Sequence, residues 1–168
     1  MAYNVNTELV NGNDVFLYLF TPSSSITHAS SFTSANTEVL AFASSCSLQI
    51  DGETIDTSNK MSCRWNSNIA GKNSYTVSAD ALYTAKTGVC SFDKLLELMV
   101  AGNAVGWAMA QPASDGDTVC ENNEFYIDNT KVIAWGYALI TSLSLEAGNN
   151  EVASCSTTLT GSGEILTD

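Results

Sequence analysis

Carboxylates are the commonest groups in this chain that could do chemistry. Asp51, Glu53, Asp56, Asp115, Asp117, Glu121, Glu124, Glu146 and Glu151 crowd into three stretches. Paired carboxylates hydrolyse glycosides when a cleft holds them at a fixed separation. With 18 acids against 6 bases, a solvated acidic surface explains them more simply. Asp115-Gly-Asp117 has the flavour of a calcium loop but lacks the full acidic repeat and its closing Glu. The five cysteines, Cys46, Cys63, Cys90, Cys120 and Cys155, are scattered and form no CxxC. Zinc needs four clustered Cys or His ligands, and the only histidine is His28, in a Ser-rich stretch. A Cys-His nucleophile would need His28 beside a cysteine, which the spacing does not suggest. The cysteines therefore read as small buried apolar residues. Trp107 and Trp135 sit inside strand patterns and read as core, whereas Trp65 lies in a polar stretch and reads as an exposed contact. There is no GxSxG, no P-loop and no GxGxxG at a strand-helix junction. The expectation is a protein with no catalytic residue, no metal and no cofactor.

Composition narrows the class. The chain has 168 residues, 45% apolar, with a formal net charge of -12. That length predicts one domain, residues 1-168, with a real core. The apolar fraction is too high for a disordered acidic tail. No run of 18 apolar residues exists, so no membrane partner is expected. The start, Met-Ala-Tyr-Asn-Val-Asn, lacks the features of a signal peptide, and reduced thiols follow. Six bases are too few to grip nucleic acid through its phosphates.

The elements that would position these groups are mostly strands. Residues 14-20 are apolar, aromatic and β-rich. Residues 21-37 lack an apolar period and read as a long loop. In 38-50, Cys46, Leu48 and Ile50 alternate with polar residues. Residues 51-73 read as a second long polar loop. Tyr75, Val77, Ala79 and Ala81 alternate cleanly with Ser, Thr and Asp. The one convincing helix is about 91-101, with Ser91 as N-cap, Asp93 in its first turn and Gly102 as its stop. Phe92, Leu95, Leu96 and Met99 recur along it at helical spacing. Ala104 to Ala110 reads as a buried strand and 111-123 as a loop. A short strand near 124-127 and a long one from Lys131 to Ala147 follow. In the long strand Leu139, Thr141, Leu143, Leu145 and Ala147 are expected on one face. Val152 to Thr160 is its hairpin partner, with Ala153, Cys155, Thr157 and Leu159 on one face. About eight strands and one short flanking helix predict a mainly β fold, an antiparallel β-sandwich or barrel. Cys46-Ser-Leu-Gln-Ile-Asp-Gly also echoes Thr141-Ser-Leu-Ser-Leu-Glu-Ala-Gly. That echo reads either as ordinary strand-turn grammar or as two related half-sheets.

Several stretches resemble the major tail protein (tail tube protein) of long-tailed bacteriophages. They are Ala43-Ser-Ser-Cys-Ser-Leu-Gln-Ile, Glu53-Thr-Ile-Asp-Thr-Ser-Asn-Lys, Trp65, Ala70-Gly-Lys-Asn-Ser-Tyr-Thr-Val-Ser and Asp80-Ala-Leu-Tyr. Near the C-terminus, Gly136 to Glu151 and Ser156-Thr-Thr-Leu-Thr-Gly-Ser-Gly match too. The resemblance spans roughly Asp14 to Leu166 and includes the helix followed by Gly102. The loops 21-37 and 111-123 are longer than the family pattern.

The resemblance implies a non-enzymatic virion protein of the tail, assembled in the bacterial host cytoplasm. Such subunits form hexameric rings that stack into a tube, with short terminal arms and long loops joining ring to ring. Tape-measure, terminator and baseplate or distal tail proteins would be its partners, and DNA would pass through without specific binding. The family's contact loop matches residues 51-73, which makes Lys60, Arg64, Trp65 and Lys72 the candidate contacts between subunits or rings. The tube protein of a contractile injection or type VI secretion apparatus is the near alternative. A carbohydrate-binding or adhesion module is the remote one. If the chain lines a conduit, its -12 charge predicts an electronegative channel that repels phosphates.

Overall fold

Seven strands form one continuous antiparallel sheet in a computed structural model of the chain, which describes residues 10, 12-22, 26-33, 35-40, 43-62, 65-84, 90-113 and 125-167. The strands are β1 (Phe16–Phe20), β2 (Thr37–Val39), β3 (Ala43–Asp56), β4 (Asn68–Leu82), β5 (Val105–Pro112), β6 (Ile127–Glu146) and β7 (Ser154–Gly161). Among the described residues there is one α-helix, α1, at Phe92–Ala101. Spatial order in the sheet is β2-β1-β5-β6-β7-β4-β3.

The sheet turns back on itself along β6. The first part of this 20-residue strand pairs with β5, up to Val105 opposite Ala138. From Ala138 onward it pairs with β7. The two halves therefore stack face to face. Leu17, Leu19, Val105, Trp107 and Met109 from one half meet Tyr75, Val77, Ala79, Ala81, Cys155 and Leu159 from the other in one buried cluster. Leu95 of α1 sinks into the same cluster. Burying each large side chain there is worth roughly 1.5–3 kcal/mol.

The β1-β5 half is buried on its second face as well. Tyr18, Phe20, Ala108, Ala110 and Trp135 are covered there by Ile26, Ala29 and Phe32. Burial on both faces is why Ala104 to Ala110 is apolar without alternation. Phe32 meets the Phe20 ring at 5.3 Å and the Trp135 ring at 5.8 Å, both edge-on.

Several sequence expectations change. Residues 21-37 are not simply a loop. Ile26, Ala29 and Phe32 plug the core around a short 3-10 turn at Ala29–Ser31, and Thr37 begins β2. Residues 51-56 and 68-73 are strand, not loop. Ile127 and the strand expected from Lys131 belong to one strand, and the described residues form seven strands. Leu139 does not share a face with Leu143 and Leu145. Ile140 pairs with Leu159 but Ser142 pairs with Thr158, so β6 carries an extra residue at Thr141. A bulge of one residue reverses the parity of everything after it. Leu143 then packs against the core, while Leu139 stays on the outside. Most of the expected 111-123 loop lies outside the described residues.

The helix is where it was expected. Gly102 adopts φ 68°, and its N–H bonds back to the Met99 carbonyl. A left-handed residue there carries no Cβ penalty only if it is glycine. Ser91 has extended N-cap geometry but makes no side-chain cap hydrogen bond. Leu96 and Met99, expected on the buried stripe, are partly exposed instead.

Candidate functional site

Two exposed surfaces of the fold have unusual chemistry, and both arise from β3 and β4. The first is the distal half of the β3-β4 hairpin, which projects as an arm. Every residue of β3 from Gln49 to Asp56 is exposed. Ile55 pairs directly with Ile69, and both remain about half open to water. A register shift near Gly52 sets Gly71 and Lys72 opposite Glu53.

Hydroxyls and amides hold the arm's tip. The Thr57 N–H and Oγ1 both donate to the Ser67 carbonyl, at 2.7 and 2.9 Å. The Ser67 N–H donates to Ser58 Oγ at 2.9 Å, and the Met61 N–H to Asn59 Oδ1 at 2.8 Å. The Ser58 N–H donates to Asp56 Oδ1 at 2.7 Å. The Ser58 side chain and backbone together hold the Asp56 carboxyl below its usual range. On this scaffold Met61 is 90% and Trp65 84% exposed.

The second surface is the outer face of the four strands β6-β7-β4-β3. Cross-strand rows run Leu139-Thr160-Thr76-Gln49, then Ser142-Thr158-Ser78-Ser47, then Ser144-Ser156-Asp80-Ser45. These three rows hold nine hydroxyl side chains, one carboxylate and no lysine or arginine. Asp51 and Glu146 extend the same face at opposite corners. Hydrogen bonds from Ser156 and Ser45 hold the Asp80 carboxyl below its usual range, so it stays ionised. The Ser45 hydroxyl reaches it at 2.8 Å. At the bulge, Thr141 Oγ1 lies 2.9 Å from Thr160 Oγ1 and 3.2 Å from the Thr158 carbonyl.

The residues singled out from sequence sort clearly. Lys60 and Trp65 lie together at the arm's tip, and Lys72 sits lower on the same arm. Lys60 and Lys72 are both exposed. Arg64 lies outside the described residues, as do Cys63 and Cys120. Trp107 and Trp135 are core, as the strand patterns indicated. Cys90 and Cys155 are buried free thiols and Cys46 is half-buried. Burial first, and Glu38 second, push the Cys90 thiol up to about 12, so it is not a nucleophile at neutral pH. His28 is exposed. Among the described residues no group of His, Cys, Asp and Glu could hold a metal. None of their helices is long and apolar enough to cross a membrane. Sequence reasoning missed the hydroxyl face. Its signal was present in the polar members of these strand alternations, which in the three rows are Ser, Thr, Gln and Asp and never Lys.

The described residues form a β-sandwich with a hydroxyl-rich outer face and a hydrogen-bonded arm that exposes Met61 and Trp65. The chain belongs to the phage tail tube protein family, whose model matches residues 9–167. It is a structural protein of the tail tube. Among solved structures it is similar to a subunit from the tail of an empty gene transfer agent particle refined with C6 symmetry. That likeness has 16% identity and a TM-score of 0.66 and covers 95% of this chain and 99% of the other. It is also similar to the SPP1 tail tube, at 11% identity, TM-score 0.63 and coverage of 92% and 77%. A third likeness is to the tube-terminating cap of the anti-feeding prophage, at 15% identity, TM-score 0.55 and coverage of 95% and 92%. No curated protein sequence matches the chain.

Proposed function

We propose that copies of this chain close into hexameric rings, that the rings stack into a virion tail tube, and that the hydroxyl face lines the channel for DNA. The observation that carries the reading is the geometry of that face. The strands β6, β7, β4 and β3 alternate in direction. Four is an even number, so the free edge of β3 meets the distal β6 edge of the next copy antiparallel. Six copies, the symmetry printed for the gene transfer agent tail, make 24 strands. At about 4.8 Å per strand the backbone circle is about 115 Å around and about 37 Å across, and strand tilt only widens it. One side-chain layer of about 5 Å on each wall leaves a bore of about 27 Å or more. The wall is acidic and its three rows carry no cation to neutralise phosphates.

The arm supplies contacts between rings in this reading, through Lys60, Arg64, Trp65 and Lys72. Residues 51-73 carry half of the chain's basic residues in sequence, and the rest of the chain is net acidic. Charge complementarity of this kind sets register and association rate more than affinity. Tape-measure, terminator and baseplate or distal tail proteins would be its partners in the tail. The chain has no catalytic role in this scheme. Negative-stain microscopy of the purified protein tests it. Rings or tubes are expected from the wild type, and folded protein without tubes from the triple variant Lys60→Glu, Arg64→Glu, Lys72→Glu. Normal tubes from that variant would remove the basic arm from the contact.

A further inference from the structure

Two exposed apolar patches on this chain are flanked by charges of opposite sign. The first is the arm's tip, where Met61 and Trp65 stand open beside Lys60. The second is the outer side of α1. Its inner side is used, with Leu95 fully buried and Phe92 and Leu98 packed on the core. Its outer side carries Leu96, Met99 and Val100, exposed by 43%, 37% and 80%. Asp93, Leu96, Glu97 and Val100 follow i, i+3, i+4, i+7 spacing and share one face. That face interleaves acid with apolar surface, as the tip interleaves base with apolar surface.

We infer that the arm's tip of one copy docks on the outer face of α1 in a copy of the next ring. This rests on the tube reading above. Trp65 at the tip and Val100 on α1 are both largely open to water within one copy. A contact between two different patches of identical chains is heterologous, and if it does not close it propagates along an axis. An exposed Trp on an ordered scaffold is the kind of anchor that dominates interfaces. Met99 offers the ring a polarisable sulfur partner. Lys60 would meet Glu97, whose present partner is Lys94 at 3.8 Å on an open surface. Such an exposed pair is worth little and is readily exchanged. Asp93 already accepts from the Tyr83 hydroxyl at 3.2 Å and adds negative potential to the same face.

The test uses the whole chain. Trp107 and Trp135 are buried in the single copy, so a blue shift of tryptophan emission on assembly reports burial of Trp65. Val100→Asp and Glu97→Lys should keep the melting temperature of the monomer, because both positions are exposed. Each should raise the protein concentration needed for tubes, by at least ~30-fold for Val100→Asp if Trp65 is an interface anchor. Lys60→Glu alone should weaken assembly, and Lys60→Glu with Glu97→Lys should recover it. Wild-type protein that never forms a tube overturns the tube reading, and this contact with it. Three outcomes overturn the contact alone: wild-type tubes with unshifted emission, single variants that assemble like wild type, or a double variant no better than its parents.

Discussion

Replacing Ser47 by Arg is the sharpest test of which face lines the channel. Ser47 lies in the middle row of the hydroxyl face, opposite Ser78. Its neighbours across the sheet are hydroxyls, so one guanidinium per copy fits without burying a charge. In a ring of six it sets six cations around a bore of about 27 Å, estimated from strand spacing. If all six engage phosphates, log affinity should fall against log salt with a slope of about -0.9 per contact, or about -5 per ring. Between 50 and 200 mM salt that slope loses a factor of about 10³. The assay mixes preformed tubes with short labelled duplex, adds nuclease, and measures protected DNA across a salt series. Wild-type tubes should protect none at any salt. Ser47→Arg tubes should protect DNA at low salt and release it steeply. Variant tubes that protect no more than wild type refute the lumen assignment. So do tubes that bind DNA but leave it open to nuclease, because the face is then external.

Other outcomes test the fold beneath the site. Phe32→Ala removes a buried ring lying between Phe20 and Trp135. It should cost about 3–5 kcal/mol and lower the melting temperature by roughly 6–20 °C; a drop below ~2 °C would show that the Ser-rich segment is not a plug. Deleting Thr141 removes the extra residue and keeps Ile140 opposite Leu159 and Ser142 opposite Thr158, so the facing of β6 is unchanged and folded protein is expected. Insoluble or unfolded protein from that deletion would contradict the register. Cys90 should resist thiol reagents in the native protein and react fully in denaturant; rapid native labelling at Cys90 would refute its burial. Its folded pKa is raised, so the linked stability is complete below the ordinary thiol pKa and declines as pH rises from about 9 towards 12. A melting temperature independent of pH across that window argues against the shift.

Legibility followed burial. The β4 alternation, Tyr75 to Ala81, could be read because one face is core and the other is wet. Ala104 to Ala110 could be read because both faces are dry. Residues 51-56 and 68-73 are wet on both faces, so they carry no period and looked like loop. The bulge at Thr141 left no trace in residue type, and the expected face failed there. Ile26, Ala29 and Phe32 recur at intervals of three, but serines and threonines hid the spacing. At the candidate site, Trp65 stood out because a large aromatic in a polar stretch is unusual. Asp80 did not, because its partners Ser45 and Ser156 come from strands distant in sequence.

The long strand β6 has a mechanical consequence. Its first part belongs to the outer half of the sandwich and its distal part to the proposed channel wall. An axial drag on the wall therefore travels into the body of the subunit along a covalent backbone. It does not have to cross the greasy layer between the halves, which resists shear only weakly. On this view the weak links of a loaded tube lie at the seams between copies, where only strand edges and arms hold. A tube pulled beyond its limit should part into whole subunits before any subunit delaminates.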